Sequence, residues 1–397
     1  MEKLKPENIN SAQFNDTFFP VVDGVVRTVH NYARIMNSIS YSCVVCPDQK
    51  GRFNDKKLPY DIYRTGSVKI PTMDYAICVP FNPYTVRDVG NIKKLDIIHT
   101  HSPFMQGWNA YLCAKKRRVP IVATFHSKYY DDFYMVTKSR ALSRSLTDMI
   151  VSFYNRCDSV WACSGTTAET LRSYGYKKDI FVCENGIDIN IPGDPAKLKR
   201  YAEYKFSLDK NRHILLFVGS LVWQKNLKCV LDTFRLLCSK APDKYTLVIA
   251  GAGNHETSVK AYAGKLAFAP EQLMFTGEIK DRRLISALYA AADLFFFPSI
   301  YDNAPLVLRE AAMLGTPALL AEDSNSAEVV TDGFNGFTAA NEPQLMAHKI
   351  EEVFSDRELL AKAGENAKGT IPVPWEKIIP IVYDKYAEII YNKKISI

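Results

Sequence analysis

At 397 residues the chain is too long for one ordinary hydrophobic core, so two domains are expected. It is 47% hydrophobic and 23% charged, a globular profile, and no apolar run approaches the roughly 18 residues of a membrane span. A net charge of +7 fits an anionic substrate or an anionic membrane surface and is too small to argue for nucleic acid.

The opening MEKLKPENIN has no apolar segment of the kind a signal peptide needs. Nine scattered cysteines, including the Cys43–Cys46 pair in an apolar run, read as buried thiols rather than zinc ligands or disulfides. A cytoplasmic location is expected. Short apolar runs alternate with helical patterns along the whole chain, the pattern of an α/β protein, and the alternation occurs twice. Strands are expected at Cys43–Cys46, Ala76–Val79, Ile97–His99, Ile121–Phe125, Val160–Cys163 and Ile180–Cys183. A second set is expected at Ile214–Val218, Leu247–Ala250, Met274–Thr276, Leu294–Phe297 and Ala318–Leu320. The stretch Ile191-Pro192-Gly193-Asp194-Pro195 sets the expected boundary. The expectation is two Rossmann-like domains, 1–190 and 191–374, facing across a cleft.

In chain order, Asp23-Gly24 opens a helix with Val26, Val29, Ala33 and Met36 on one stripe. Gly24 lets a phosphate approach the helix N-terminus, or is a plain turn residue behind a capping Asp23. His99, His101 and His126 close two strand-like segments, where a doubly wound sheet presents ligand-facing residues. Substrate hydrogen bonding and core packing are both open for them; metal ligation is not supported by the spacing. Lys138–Tyr154 reads as one amphipathic helix with Leu142, Leu146, Met149, Ile150 and Phe153 facing a core. Lys225, in a loop after strand Ile214–Val218, is placed either to meet a diphosphate or to lie in solvent. Gly251-Ala252-Gly253 invites a dinucleotide reading but lacks the third glycine.

Leu294–Leu320 then forms a strand, a short loop, a helix beginning with Pro305 at its first position, and a further strand after Gly315-Thr316-Pro317. Asp302 in the loop and Glu310 in the helix bracket a helix N-terminus. That arrangement suits a nucleotide sugar, its diphosphate at the N–H groups and its hydroxyls on the carboxylates. A capping Asp and a solvated Glu is the competing reading. No Asp-x-Asp occurs anywhere, so the usual carboxylate pair for a metal–diphosphate complex is missing.

Together these segments resemble the retaining glycosyltransferases of family 4, which have the GT-B fold. Asp302 and Glu310, with seven residues between them and Gly315-Thr316-Pro317 behind, match the family's acidic pattern. Asp23-Gly24, His101-Ser102-Pro103, Thr124–Ser127, Asn185-Gly186-Ile187-Asp188, Lys225-Asn226, Gly251-x-Gly253 and Phe275-x-Gly277 are also similar. The tail, about 375–397, with Trp375, Ile378, Ile379, Val382 and Tyr386 at helical spacing, is similar to the family's last helix, which returns to the N-terminal domain. DGVVRTV and HSKYYDDF look most like bacterial enzymes that glucosylate diacylglycerol.

The resemblance implies that Gly24 and Lys225 hold the diphosphate, Glu310 the ribose and Asp302 the sugar hydroxyls. It implies that His126 bonds the transferred sugar and that backbone near Gly277 and Ile279 meets the base. Ser220, Asn303, Ala304, Leu306 and Val307 complete the implied donor site. It further implies transfer of a hexose, glucose, from a UDP-sugar to a lipid or glycan acceptor, with retention and without a metal or other cofactor. Three departures stand out: Ser220 where the family usually has Arg, Asp302 where Glu is usual, and Pro305 in place of a loop Gly. A nucleotide-sugar epimerase and a catalytically inactive nucleotide-sugar-binding partner are the alternatives.

Overall fold

The computed structural model describes residues 9–49, 51, 53–69, 76–79, 92, 94–188 and 191–395. The chain divides into two units, residues 1–186 with 375–397, and residues 187–374. The division falls at Gly186–Ile187, ahead of the Pro-Gly-Asp-Pro stretch where composition placed it.

The first unit is built on strands β1 (Ser11–Phe14), β2 (Ser42–Pro47), β3 (Asp61–Thr65), β6 (Ile97–Thr100), β7 (Ile121–Phe125), β8 (Ser159–Ala162) and β9 (Ile180–Val182). They form a parallel sheet in the order β3-β2-β1-β6-β7-β8-β9. A two-stranded antiparallel ribbon, β4 (Ser67–Lys69) with β5 (Ala76–Cys78), is inserted between β3 and β6. Strand order reverses between β1 and β6, the switch point where such sheets bind ligands. The second unit has β10 (His213–Val218), β11 (Tyr245–Ala250), β12 (Leu273–Gly277), β13 (Leu294–Phe296), β14 (Ala318–Ala321) and β15 (Phe337–Ala339). Their order is β12-β11-β10-β13-β14-β15, all parallel, with the switch point between β10 and β13.

Continuous apolar runs make these strands because both faces are covered by helices. Leu215, Leu216, Phe217, Leu247, Val248 and Ile249 are fully buried in the second unit's core. In the first unit, Ala12, Phe14, Val45, Ile98, Ala123 and Phe125 play the same part. β1 was not expected from sequence, because Ser11 and Gln13 are polar; both are nonetheless completely buried. β3, β4 and β15 were likewise missed, each short or mixed in polarity.

The C-terminal helix Trp375–Ile395 belongs to the first unit and buries Ile378, Ile379, Val382 and Tyr386 there. Tyr386 donates or accepts a 2.6 Å hydrogen bond with His99 Nδ1, and Tyr383 donates to the Met36 carbonyl. A Cβ on Gly186 would lie 2.5 Å from the Trp375 ring, so the Asn-Gly-Ile-Asp turn uses its glycine to seat this helix.

The expected helix 138–154 is found as Arg140–Tyr154, capped by Ser139, and a separate helix, Tyr129–Thr137, precedes it and ends where Lys138 takes a left-handed conformation (φ 53°). Its expected apolar stripe holds at Ile150 and Phe153 and fails at Leu142 and Met149. Ser143, Thr147, Ile150 and Val151 face the core, whereas Leu142 and Met149 are exposed. Small hydroxyl residues reach the core because Ser143 and Thr147 return their O–H groups to backbone carbonyls one turn back. Pro305 lies just outside the helix Leu306–Met313 as its N-cap rather than at its first position. All nine cysteines are buried free thiols.

Candidate functional site

The β10 and β13 ends of the second unit carry the acidic pattern and the loop lysine. After β10 the chain makes a single turn, Trp223–Lys225, and Asn226 enters a left-handed conformation (φ 60°) that starts the helix Leu227–Lys240. Asn226 is held by its side-chain amide, which donates to the Pro298 carbonyl and to Asn341 Oδ1. Lys225 is thereby aimed at the loop after β13. Its ammonium group pairs with Asp302 Oδ1 and sits 5.6 Å from the centre of the Phe297 ring. Both side chains of the pair are only 16% exposed. The second carboxylate oxygen accepts from Ser299 Oγ at 2.6 Å. Lys225 is therefore not a solvated loop lysine, and Asp302 is not a helix cap.

The helix Leu306–Met313 has no side-chain cap, which leaves the backbone N–H groups of its first turn directed at the same loop. Asn303, beside Asp302, is buried and accepts from Asn325 Nδ2. Ala304, Leu306 and Val307 are half-buried around it. Glu310, one turn further on, is 12% exposed and accepts from Arg282 Nη1 at 3.0 Å and from Tyr289 OH at 3.2 Å. The solvated-Glu reading is excluded. Arg282 and Tyr289 were not picked out from sequence; they lie 28 and 21 residues upstream on one helix, Arg282–Ala291.

The glycines of the Gly251-Ala252-Gly253 turn are explained by close backbone packing. A Cβ on Gly251 (φ 148°) would fall 1.9 Å from the Gly219 carbonyl oxygen, and one on Gly253 would fall 2.7 Å from the Leu221 backbone. The two glycines let the β11 loop pack directly against the β10 loop, and Gly219 and Leu221 N–H groups donate to Ala250 and Ala252 carbonyls. The dinucleotide reading is thus replaced by a structural one. Ser220 between them is exposed. Gly277 takes a left-handed conformation (φ 71°) at the end of β12, its carbonyl accepting from Gly251 N–H, and Ile279 beyond it is half-buried.

In the first unit, Asp23 caps the helix Gly24–Asn37 by accepting from Val26 N–H at 2.7 Å, and burial raises its pKa. A Cβ on Gly24 would meet nothing within 4 Å, so the helix N-terminus is open at that residue. His126, after β7, lies 3.2 Å by its Nε2 from His101 Nδ1. Burial pushes the His126 pKa down to about 4 and those of His99 and His101 well below 6.5, so all three are neutral at physiological pH. Among the described residues no three His, Cys, Asp or Glu groups gather as a metal site.

Two family models match. Residues 22–191 fit the one described as Glycosyltransferase Family 4, and residues 201–370 the one described as Glycosyl transferases group 1. The fold and the acidic turn define a glycosyltransferase of the GT-B class. The chain is a glycosyltransferase whose first part carries the Glycosyltransferase Family 4 domain and whose second part carries the Glycosyl transferases group 1 domain. An alpha-monoglucosyldiacylglycerol synthase of Streptococcus pneumoniae is 24% identical over 86% of this chain and 78% of its own length. A GDP-mannose-dependent alpha-mannosyltransferase of Corynebacterium glutamicum is 26% identical over 85% of this chain and 77% of its own. Among solved structures, Anabaena HepE in complex with UDP superposes with a TM-score of 0.78 over 96% of this chain and 100% of that one, at 17% identity, a likeness of fold.

Proposed function

We propose that this glycosyltransferase moves glucose from UDP-glucose to a membrane lipid of the diacylglycerol type, with retention and without a metal ion. The observation that carries the donor site is the mostly buried Lys225–Asp302 pair at the β10/β13 switch point, beside an uncapped helix N-terminus. In this reading Lys225 meets the diphosphate and stabilises the charge that grows on it as the glycosidic bond breaks. Asp302 accepts hydroxyls of the sugar, Glu310 those of the ribose, and Gly24 leaves its helix N-terminus open to phosphate. The leaving diphosphate takes the acceptor's proton, so no protein base is assigned. Glucose and a lipid acceptor are supported by the name of the pneumococcal relative, and GDP-mannose by that of the corynebacterial one. Transfer assays with each nucleotide sugar, with and without chelator, decide the donor. The expected outcome is UDP-glucose turnover that survives chelator; magnesium- or manganese-dependent rescue contradicts the metal-independent route.

Glu310→Gln is expected to raise the Michaelis constant for the donor severalfold with little change in thermal stability, since Gln keeps the shape and one acceptor for Tyr289 or Arg282. A large fall in melting temperature with donor affinity intact would make Glu310 a purely structural residue.

The lipid reading rests on the first unit's surface. Tyr129 is buried against Phe125, and Tyr130 and Phe133 are half-buried, so these rings offer little exposed aromatic surface. The two neighbouring helices instead expose Tyr134, Val136 (86% exposed), Leu142 and Met149, together with the basic residues Lys138, Arg140 and Arg144. Apolar side chains interspersed with cations suit an anionic bilayer, each cation contributing about 1 kcal/mol. Among the described residues no helix is long and apolar enough to cross a membrane. Sedimentation with vesicles of rising anionic content should show binding that weakens with salt and with Met149→Glu. Binding indifferent to lipid charge and salt would remove the bilayer from the account.

A further inference from the structure

In the chain without donor, the two charged groups assigned to the donor's phosphate and sugar neutralise each other. Lys225 and Asp302 form a mostly buried ion pair, and Ser299, itself fully buried, donates to the other carboxylate oxygen at 2.6 Å. The fully buried Phe297 ring lies 5.6 Å from the ammonium and keeps water from that side. The loops that carry the pair are tied in place. Asn226 Nδ2 donates to the Pro298 carbonyl at 3.0 Å, and Ser326 Oγ donates to the Asp302 carbonyl at 3.5 Å. Separation of the two charges therefore falls to the side chains.

A diphosphate takes the charge of Lys225 only by drawing it away from Asp302. What the carboxylate gains in return depends on the rest of the ligand. With a nucleotide sugar, the sugar hydroxyls donate to Asp302 and replace the ammonium. With a nucleoside diphosphate there are no such hydroxyls. A carboxylate at low exposure, keeping its Ser299 hydrogen bond, then faces a phosphate across a single ammonium group. The diphosphate product also carries one more ionisable oxygen than the donor, because its terminal phosphate is no longer esterified to the sugar. Both effects act against the product. We propose that Asp302 shifts the preference of this site from the nucleoside diphosphate left after transfer towards the nucleotide sugar, and that re-formation of the Lys225–Asp302 pair favours product release. The inference rests on the donor site of the proposed function and adds its selectivity and the means by which it empties.

The test is calorimetric binding of UDP and of UDP-glucose, each alone, to the full wild-type and Asp302→Asn chains. Asparagine keeps the size of the side chain and removes its charge. Asp302→Asn is expected to bind UDP about tenfold more tightly than the wild type does, and UDP-glucose more weakly. Ser299→Ala gives a second reading of opposite sign. It strips the carboxylate of a hydrogen bond that matters most once Lys225 has turned away, so it should weaken UDP more than UDP-glucose. A folded Asp302→Asn chain that binds UDP no more tightly than the wild type overturns the proposal, as does a Ser299→Ala chain that weakens both ligands equally. Where Asp302→Asn does not fold, Ser299→Ala alone decides. A wild-type chain that binds neither ligand takes down the donor reading itself. Binding of both, with a ratio that the substitutions leave unmoved, takes down this inference alone.

Discussion

Replacing Lys225 by alanine is expected to lower kcat/KM by roughly 30- to 1,000-fold, the equivalent of about 2–4 kcal/mol of transition-state stabilisation. In the proposed donor site Ser220 stands where the family resembled usually has Arg, which would leave Lys225 to meet the diphosphate. Its charge acts at low exposure, beside the Phe297 ring, where screening by water is weak. Loss of Lys225 also leaves the Asp302 carboxylate with its Ser299 hydrogen bond but without its ion-pair partner. Some stability should go with it, so activity is compared in chains shown to be folded. Unchanged kcat/KM in a folded variant would remove Lys225 from the donor site.

Gly251→Ala is expected to destabilise the second unit by on the order of 3 kcal/mol. The added Cβ would meet the Gly219 carbonyl oxygen at 1.9 Å, and φ of 148° is a conformation that side-chain-bearing residues rarely adopt. Relief requires the β10 and β11 loops to separate, and the β10 loop carries Lys225, so donor affinity should fall in parallel. Calorimetry measures the first effect and donor titration the second. A variant that melts like the wild type yet no longer binds donor would return Gly251 to a direct nucleotide contact.

Much of the architecture was legible because parallel strands covered on both faces must be continuously apolar, as Leu294–Phe296 and Ala318–Ala321 are. β1 was not legible, since Ser11 and Gln13 are tolerated inside through partners such as Ser42, His101 and Met36, which are distant in sequence. The buried face of the helix at 140–154 was legible only at Ile150 and Phe153, for a related reason. Local back-bonding hides the hydroxyls of Ser143 and Thr147, and periodicity alone cannot show that. At the site, the residue types and spacing of Asp302 and Glu310 were visible. Their partners were not: Lys225 lies 77 residues from Asp302, and Arg282 and Tyr289 sit on a different helix from Glu310. The Gly-x-Gly turn misled because close approach of a phosphate and close approach of another backbone require the same missing side chain.

The most direct measurement is the thermal unfolding of wild-type and Lys225→Ala chains with UDP-glucose and, separately, GDP-mannose. A nucleotide sugar at about 100 times its dissociation constant adds about 2.7 kcal/mol to the wild type. UDP-glucose is expected to give that shift in the wild type and little of it at the same concentration in Lys225→Ala. Equal shifts in the two chains, no shift with either sugar, or a shift with GDP-mannose alone would contradict the donor site and donor described here.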